Sequence, residues 1–221
     1  MSLNIIVLAK QVPDTRNVGK DAMKEDGTIN RAALPAIFNP EDLNALEQAL
    51  RLKDANPGST ITLLTMGLPR ASEIIREAIY RGADTGIVLT DRALGGADTL
   101  ATSYSLAQAV KKFGNYDIIL GGRQAIDGDT AQVGPQIAEK LGLPQVTYAE
   151  EILELKDGHV VVSNSSFPVT SDSYSHSSFI VTVAVPVCAG NCVVLSVTVV
   201  LKGKSFCNLL YNISGVVVAS T

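Results

Sequence analysis

Cysteine and histidine are scarce in this sequence, and its basic residues gather into no stripe. There are three cysteines, all beyond residue 187, and two histidines. An odd number of late cysteines excludes a disulfide framework. Cys188 and Cys192 lack the Cys-x-x-Cys spacing and have no paired histidine nearby, which leaves no metal-ligand set. His159 falls in a predicted turn and His176 in a serine-rich stretch, so neither is assigned a catalytic role. A net charge of −4 and a pI near 5.2, with no basic patch, exclude nucleic acid as the partner. Met1-Ser2-Leu3-Asn4 carries neither the basic region nor the apolar segment of a secretory signal. The expectation is a soluble, cytoplasmic protein. No nucleophile–base pair is visible either, and no catalytic residue is assigned.

What is present is an alternation of short apolar runs and amphipathic helices. Residues 4–9 (NIIVLA), 60–65 (TITLLT), 86–90 (GIVLT) and 116–120 read as buried parallel strands. Between them, Asn39-Pro40-Glu41-Asp42 is a helix start, with Asn as cap, Pro at the first helical position and acids in the first turn. Leu43, Leu46 and Leu50 give that helix its apolar stripe. A second helix runs over 69–81 and closes at Gly82, and a third begins at Asp98 or Thr99 and reaches about Phe113. This alternation predicts a doubly wound parallel sheet of the α/β class. Residues 18–37, polar and with Asp26-Gly27 inside, predict a long loop or small hairpin. Residues 145–148 read as a last strand, and a further hairpin turns at Asp157-Gly158.

The chain is organised around residues 121–135, GGRQAIDGDTAQVGP, which leave the strand ending at Leu120. Three glycines within eight residues let a ligand approach the main chain. Asp129 and Thr130 can cap a helix starting near Ala131, whose free N–H groups form an anion site. The same pattern also suits an ordinary strand-to-helix turn. It is neither a Walker A loop nor a Gly-x-Gly-x-x-Gly fingerprint. The turns at Met66-Gly67, at Asp91 to Ala97 and at this loop each follow the carboxyl end of a predicted strand, where open α/β sheets bind ligands.

Residues 122–133 resemble the nucleotide-binding loop of the β subunit of electron transfer flavoproteins. With Arg123 and the run DGDTAQVGP from Asp127, the loop is similar to the electron-bifurcating branch. The resemblance covers residues 4–162 and implies an adenine nucleotide α-hydrolase-like, Rossmann-like fold. It implies a heterodimer with an α subunit that holds one FAD. The β subunit then holds AMP in ordinary members or a second FAD in bifurcating ones. In the latter, NADH delivers a hydride, and electrons go one to ferredoxin or flavodoxin and one toward an acyl-CoA dehydrogenase. The implied pocket comprises Leu8, Asn39, Pro40, Glu41, Asp42, Met66, Asp98 and Thr99. To these it adds the loop Gly122, Arg123, Gln124, Ala125, Ile126, Asp127, Gly128, Asp129, Thr130, Ala131, Gln132 and Val133. N–H groups near Ala131 to Val133 and the Thr130 hydroxyl would meet phosphate. Arg123 reads equally as the charge partner of phosphate or reduced flavin and as a surface arginine; Lys10 reads as a solvated lysine. The block around Gly95, Gly96 and Thr99 also resembles bifurcating members. A rival reading, a stand-alone adenine-nucleotide module similar to universal stress proteins, lacks its Gly-x-x-Gly phosphate loop. An adenylating enzyme would need Ser-Gly-Gly-x-Asp-Ser where Lys10-Gln11-Val12-Pro13 stands.

The composition changes after Val162, which divides the chain into a nucleotide- or flavin-binding domain, 1–162, and an atypical Ser/Val-rich segment, 163–221. Of 40 charged residues only Asp172, Lys202 and Lys204 lie in the second part. The charged sheet segments, dehydrogenase-recognition loop and α-subunit arm that the resemblance implies are not visible there. Both a divergent tail and a shifted reading frame fit this change. Residues 179–201 are uncharged and long enough to span a membrane. Pro186, Gly190 and Asn191 interrupt them, however, and valines recur with period two, so β-strands are expected instead.

Overall fold

The computed structural model describes residues 2–14, 16, 35–143, 145–156, 159–164, 178–183, 197–201 and 216–219. Its centre is a parallel sheet in the order β6-β1-β4-β5, formed by Ile118–Gly122, Asn4–Leu8, Thr60–Met66 and Thr85–Leu89. β1 pairs on both edges, Leu8 standing beside Leu64 of β4 and Gly121 of β6. Both faces are covered by helices, which is why these strands are runs of Ile, Leu and Val rather than alternating sequences. Ile5, Val7, Ile61, Leu63, Ile118, Ile119 and Leu120 form the buried middle.

The connecting helices follow the expected chemistry with small shifts. α1 (Pro40–Ala55) links β1 to β4, α2 (Ser72–Arg81) links β4 to β5, and α3 (Thr99–Phe113) links β5 to β6. α4 (Val133–Leu141) follows β6 and packs against α3. Residues 69–71 form a separate 3₁₀ turn ahead of α2 rather than part of that helix. Gly82 ends α2 at φ 122°, as a terminal glycine permits. The chain passes β1, β4, β5 in one direction and then returns to place β6 on the other side of β1. The order therefore reverses between β1 and β6, and that gap is the switch point.

The sheet continues beyond the parallel core. β7 (Gln145–Lys156) and β8 (His159–Asn164) form the expected hairpin, with Lys156 opposite His159. Asp157 and Gly158 themselves lie outside the described residues. The two predicted strand pieces at 145–148 and 152–155 are one strand, bulged after Ala149 and with Tyr148 at φ 57°. From the valine-rich part come β9 (Ser178–Val183), β10 (Val197–Leu201) and β11 (Val216–Ala219). The full order is β11-β8-β7-β9-β10-β6-β1-β4-β5. β10 lies antiparallel to β6, and β9 bridges β10 to β7. The change of composition at Val162 is thus not an edge of the sheet. A strand paired on both sides suits β-branched, uncharged sequence. No helix among the described residues is long and apolar enough to cross a membrane. Cys188, Cys192 and His176 lie outside the described residues, as do residues 17–34. Of the predicted 18–37 loop or hairpin only residues 35–37 are described, and their strand β3 (Ala36–Phe38) pairs with β2 (Gln11–Pro13), which precedes that stretch.

Gly86 in β5 tests the packing of α2. A Cβ there would run into the Ile75 side chain, with Cγ1 and Cδ1 at 3.0 Å. Gly86→Ala should therefore cost about 1–3 kcal/mol as overpacking. The double variant with Ile75→Ala should lose less than the two single costs added together, because the second change opens the space the first one fills. Urea midpoints of the four proteins check this, and strict additivity would show that the two residues do not meet.

Candidate functional site

The carboxyl ends of β1 and β6 are joined through the first turn of α1. The N–H of Lys10 donates to Asp42 Oδ2 at 2.8 Å, and the N–H of Gly122 donates to Asp42 Oδ1 at 3.2 Å. Its neighbour Glu41 accepts from the Gln124 N–H at 3.0 Å and from Arg123 Nη2 at 3.0 Å. Asn39 does not cap α1 with its side chain, contrary to the sequence pattern. Its Nδ2 donates to the Gln124 carbonyl at 2.8 Å, and its Oδ1 accepts from the Ile126 N–H at 3.3 Å. The glycine loop satisfies the polar groups of Asn39, Glu41 and Asp42, so their demand for hydrogen bonds is met across the switch point. The approach is close: a Cβ on Gly122 would lie 2.7 Å from the Glu41 carbonyl carbon and 2.8 Å from Asp42 N.

The loop then turns over residues 125–128, with the Gly128 and Asp129 N–H groups donating to the Ala125 carbonyl at 3.2 and 2.9 Å. Lys10 stays in solvent, its side chain 47% exposed, and is also paired. Its Nζ lies 2.6 Å from Asp127 Oδ1, and the Asp127 side chain is only 7% exposed. Asp129 accepts from Gln124 Nε2 at 2.8 Å, so it does not cap the next helix. α4 begins two residues later than expected, at Val133, with Gln132 at the cap position and no side-chain cap. The reason lies in the backbone: Asp129 at φ 49° and Ala131 at φ 51° are left-handed and cannot continue into a right-handed turn. Gln132 Oε1 accepts instead from the Thr99 hydroxyl at 2.9 Å, tying α4 to α3. Asp98 caps α3 as expected, accepting from the Ala101 N–H at 2.8 Å.

These elements enclose a cavity of about 620 Å³ along the carboxyl edge of β1, β4 and β6, a size usual for small-molecule sites. Leu8, Asp42, Met66, Asp98, Thr99, Gly122, Arg123, Gln124, Ala125 and residues 128–133 line it. Of the candidate residues, Asn39, Pro40, Glu41, Ile126 and Asp127 do not reach the cavity; Asn39, Glu41 and Asp127 hold its wall from behind. Sequence reasoning missed Leu64, Leu68, Asp91, Thr102 and Leu106 as lining residues. Helical spacing from Thr99 would have found Thr102 and Leu106, which follow it on one face of α3. Arg123 is no free surface arginine: it is paired to Glu41, 26% exposed, and its Nε is buried without a hydrogen-bond partner.

Burial raises the Asp42 carboxyl to about 7, against the opposing hydrogen bonds from Asn39, Lys10 and Gly122. Burial also raises Glu41, with Arg123 and the Gln124 N–H pulling the other way.

An open, doubly wound α/β domain with a ligand-sized cleft at its switch point is the class that fold and site define. Residues 26–185 match the electron transfer flavoprotein domain, a stretch that reaches past Val162 into β9. The chain belongs to the electron transfer flavoprotein family. It is 57% identical over 150 residues to the electron transfer flavoprotein subunit beta of Clostridium acetobutylicum, covering 68% of this chain and 56% of that protein. To the caffeyl-CoA reductase-Etf complex subunit CarD of Acetobacterium woodii it is 53% identical over 160 residues, 72% of this chain and 60% of that one. The electron transfer flavoprotein subunit beta of Megasphaera elsdenii is 51% identical over 183 residues, 76% of this chain and 67% of that subunit. The chain thus spans less than two thirds of the length of the first two relatives. Among the readings of the sequence, the family match favours the flavoprotein subunit over the stand-alone nucleotide module.

Two outcomes follow. Gly122→Ala should destabilise the fold by about 1–3 kcal/mol, since main-chain atoms of α1 must move to admit the methyl; the urea midpoint reads this. The folded Asp42 carboxyl keeps its proton between 3.8, its ordinary value, and about 7, whereas the unfolded chain has released it. Stability therefore falls as pH rises through that window and is level above it. Asp42→Asn should flatten that fall, measured as the urea midpoint across the same pH range. Glu41 contributes a smaller decline of the same sign, which the variant retains.

Proposed function

We propose that the cavity binds the adenine-nucleotide part of FAD, and that the chain carries electrons as the β subunit of a heterodimer with an electron transfer flavoprotein α subunit. The observation that carries this reading is the distribution of helix starts around the cavity. The Asp98 carboxylate already caps α3, and at α1 the acids Glu41 and Asp42 stand in the first turn, bonded to Gln124, Lys10 and Gly122, where their charge disfavours an anion. α4 has neither a side-chain cap nor an acidic residue in its first turn. The N–H groups of Val133 and Gly134 have no partner within the helix, and both residues line the cavity. A phosphate placed there meets free donors and the favourable end of the helix dipole.

The rest of the cavity favours the longer ligand. It extends from α4 past the apolar side chains of Met66 and Leu68 to the turn at Gly95 and Gly96. That length suits a dinucleotide with a flat ring at its far end. AMP, the ligand of ordinary members, would occupy only the α4 end. When bound, FAD supplies hydride acceptance and one-electron exchange; the chain orients it and shields it from water. In this reading NADH is the donor, ferredoxin or flavodoxin and an acyl-CoA dehydrogenase are the acceptors, and the complex works in the cytoplasm. The likeness to a caffeyl-CoA reductase complex subunit supports a CoA-linked redox partner.

Counting cofactors in the complex purified with its α subunit tests the reading. Two flavins per heterodimer and reduction by NADH are expected. One flavin and one AMP, with FAD unable to displace the AMP, would place the chain among ordinary carriers, and loss of both ligands would remove the nucleotide reading. Gly128 offers a clean probe, because a Cβ there meets nothing within 4 Å at the cavity wall. Gly128→Val should leave thermal stability unchanged while weakening FAD at least about tenfold, or about 1.4 kcal/mol.

A further inference from the structure

The charged groups around the cavity are unequally provided for. Four carboxyls line it, Asp42, Asp91, Asp98 and Asp129, against two cations, Lys10 and Arg123, a formal excess of two negative charges. Both cations are already committed to other carboxylates. Lys10 is held by Asp127 at 2.6 Å, and Arg123 by Glu41 at 3.0 Å. Of the four lining carboxyls, Asp91, Asp98 and Asp129 are exposed and keep the screening of water. Asp42 is 6% exposed. Its recorded partners are neutral: the Lys10 and Gly122 N–H groups and the Asn39 side chain.

We propose that Asp42 is the proton site of this cavity: its carboxyl takes up a proton when an anionic ligand enters, and so couples nucleotide binding to pH. This rests on the nucleotide reading given above. The physical reason is that two negative charges in one poorly screened site repel strongly, and the repulsion is relieved most by neutralising the buried one, which neither water nor a cation offsets. The reaction balances as carboxylate plus proton plus ligand anion giving carboxylic acid and bound anion. No electron is transferred. Burial already brings the free-protein midpoint close to neutral, so the added charge shifts it across the working range. Glu41 is a poorer acceptor for that proton because Arg123 and the Gln124 N–H stabilise its charged form. Asp127, from the loop, is similarly held by Lys10.

Calorimetric titration of the full chain with FAD, at the midpoint of Asp42 and in two buffers of different ionisation enthalpy, reads the proton directly. FAD is the probe because its diphosphate diester has no titration near neutral pH. Uptake of about half a proton per FAD is expected, the fraction of Asp42 still ionised at its midpoint. Asp42→Asn removes the titrating group, so whatever FAD this variant still binds should bring no uptake. Infrared difference spectra of the wild-type chain provide a measurement independent of that variant: the protonated-carboxyl band should grow when FAD is added. FAD binding without uptake, or uptake that persists in Asp42→Asn, overturns the coupling alone. Failure of both FAD and AMP to bind overturns the nucleotide reading and the coupling with it, so the two failures are distinct.

Discussion

The structure depends on a single carboxyl group that stands between two strands. Asp42 accepts from the exit of β1 at Lys10 and from the exit of β6 at Gly122. These strands are neighbours in the sheet but belong to opposite halves of the winding, and their ends diverge as the chain leaves them. A buried carboxyl is costly unless it is hydrogen-bonded, and two backbone N–H groups leaving a sheet are equally costly without acceptors. Each demand satisfies the other. α1 is thereby fixed with its first turn across the switch point, and the glycine loop is fixed against α1.

That constraint explains residues otherwise read as helix grammar. Asn39, Glu41 and Asp42 fit the start of almost any helix. Here each turns toward the loop rather than toward the helix it begins. Gly122 is glycine because main-chain atoms of α1 occupy the place of its side chain. The acids in the first turn of α1 set negative charge at that helix start, whereas the start of α4 has neither a cap nor an acid. One set of contacts thus builds the wall of the cavity.

The tail adds a second lesson in continuity. Composition alone separates residues 163–221 from the rest, and the loss of charge there is abrupt. The backbone nonetheless sets β10 beside β6 and β9 beside β7. A valine-rich run has no way to announce its neighbours, because any exposed strand edge offers the same ladder of N–H and carbonyl groups.

The strands, most helices and the glycine loop could be read from the chain because each is set by local rules. Apolar runs of five to seven residues mark strands, Asp98 marks a cap and Gly82 a stop. About half of the cavity wall was legible, through the resemblance of the loop at 122–133 rather than through local rules. What no local rule contains is pairing over distance. Lys10 and Asp127 are 117 positions apart, and each alone looks like a solvated charge. Arg123 meets Glu41 across 82 positions, and Asp42 meets Gly122 across 80. The shift of α4 to Val133 arises from two left-handed residues that hold the loop against these partners. By itself, then, the sequence determined where the backbone runs straight, coils and turns, because those choices depend on neighbours in the chain. Only the tertiary structure decided which charges are neutralised, because burial and partner are properties of the assembled sheet edge.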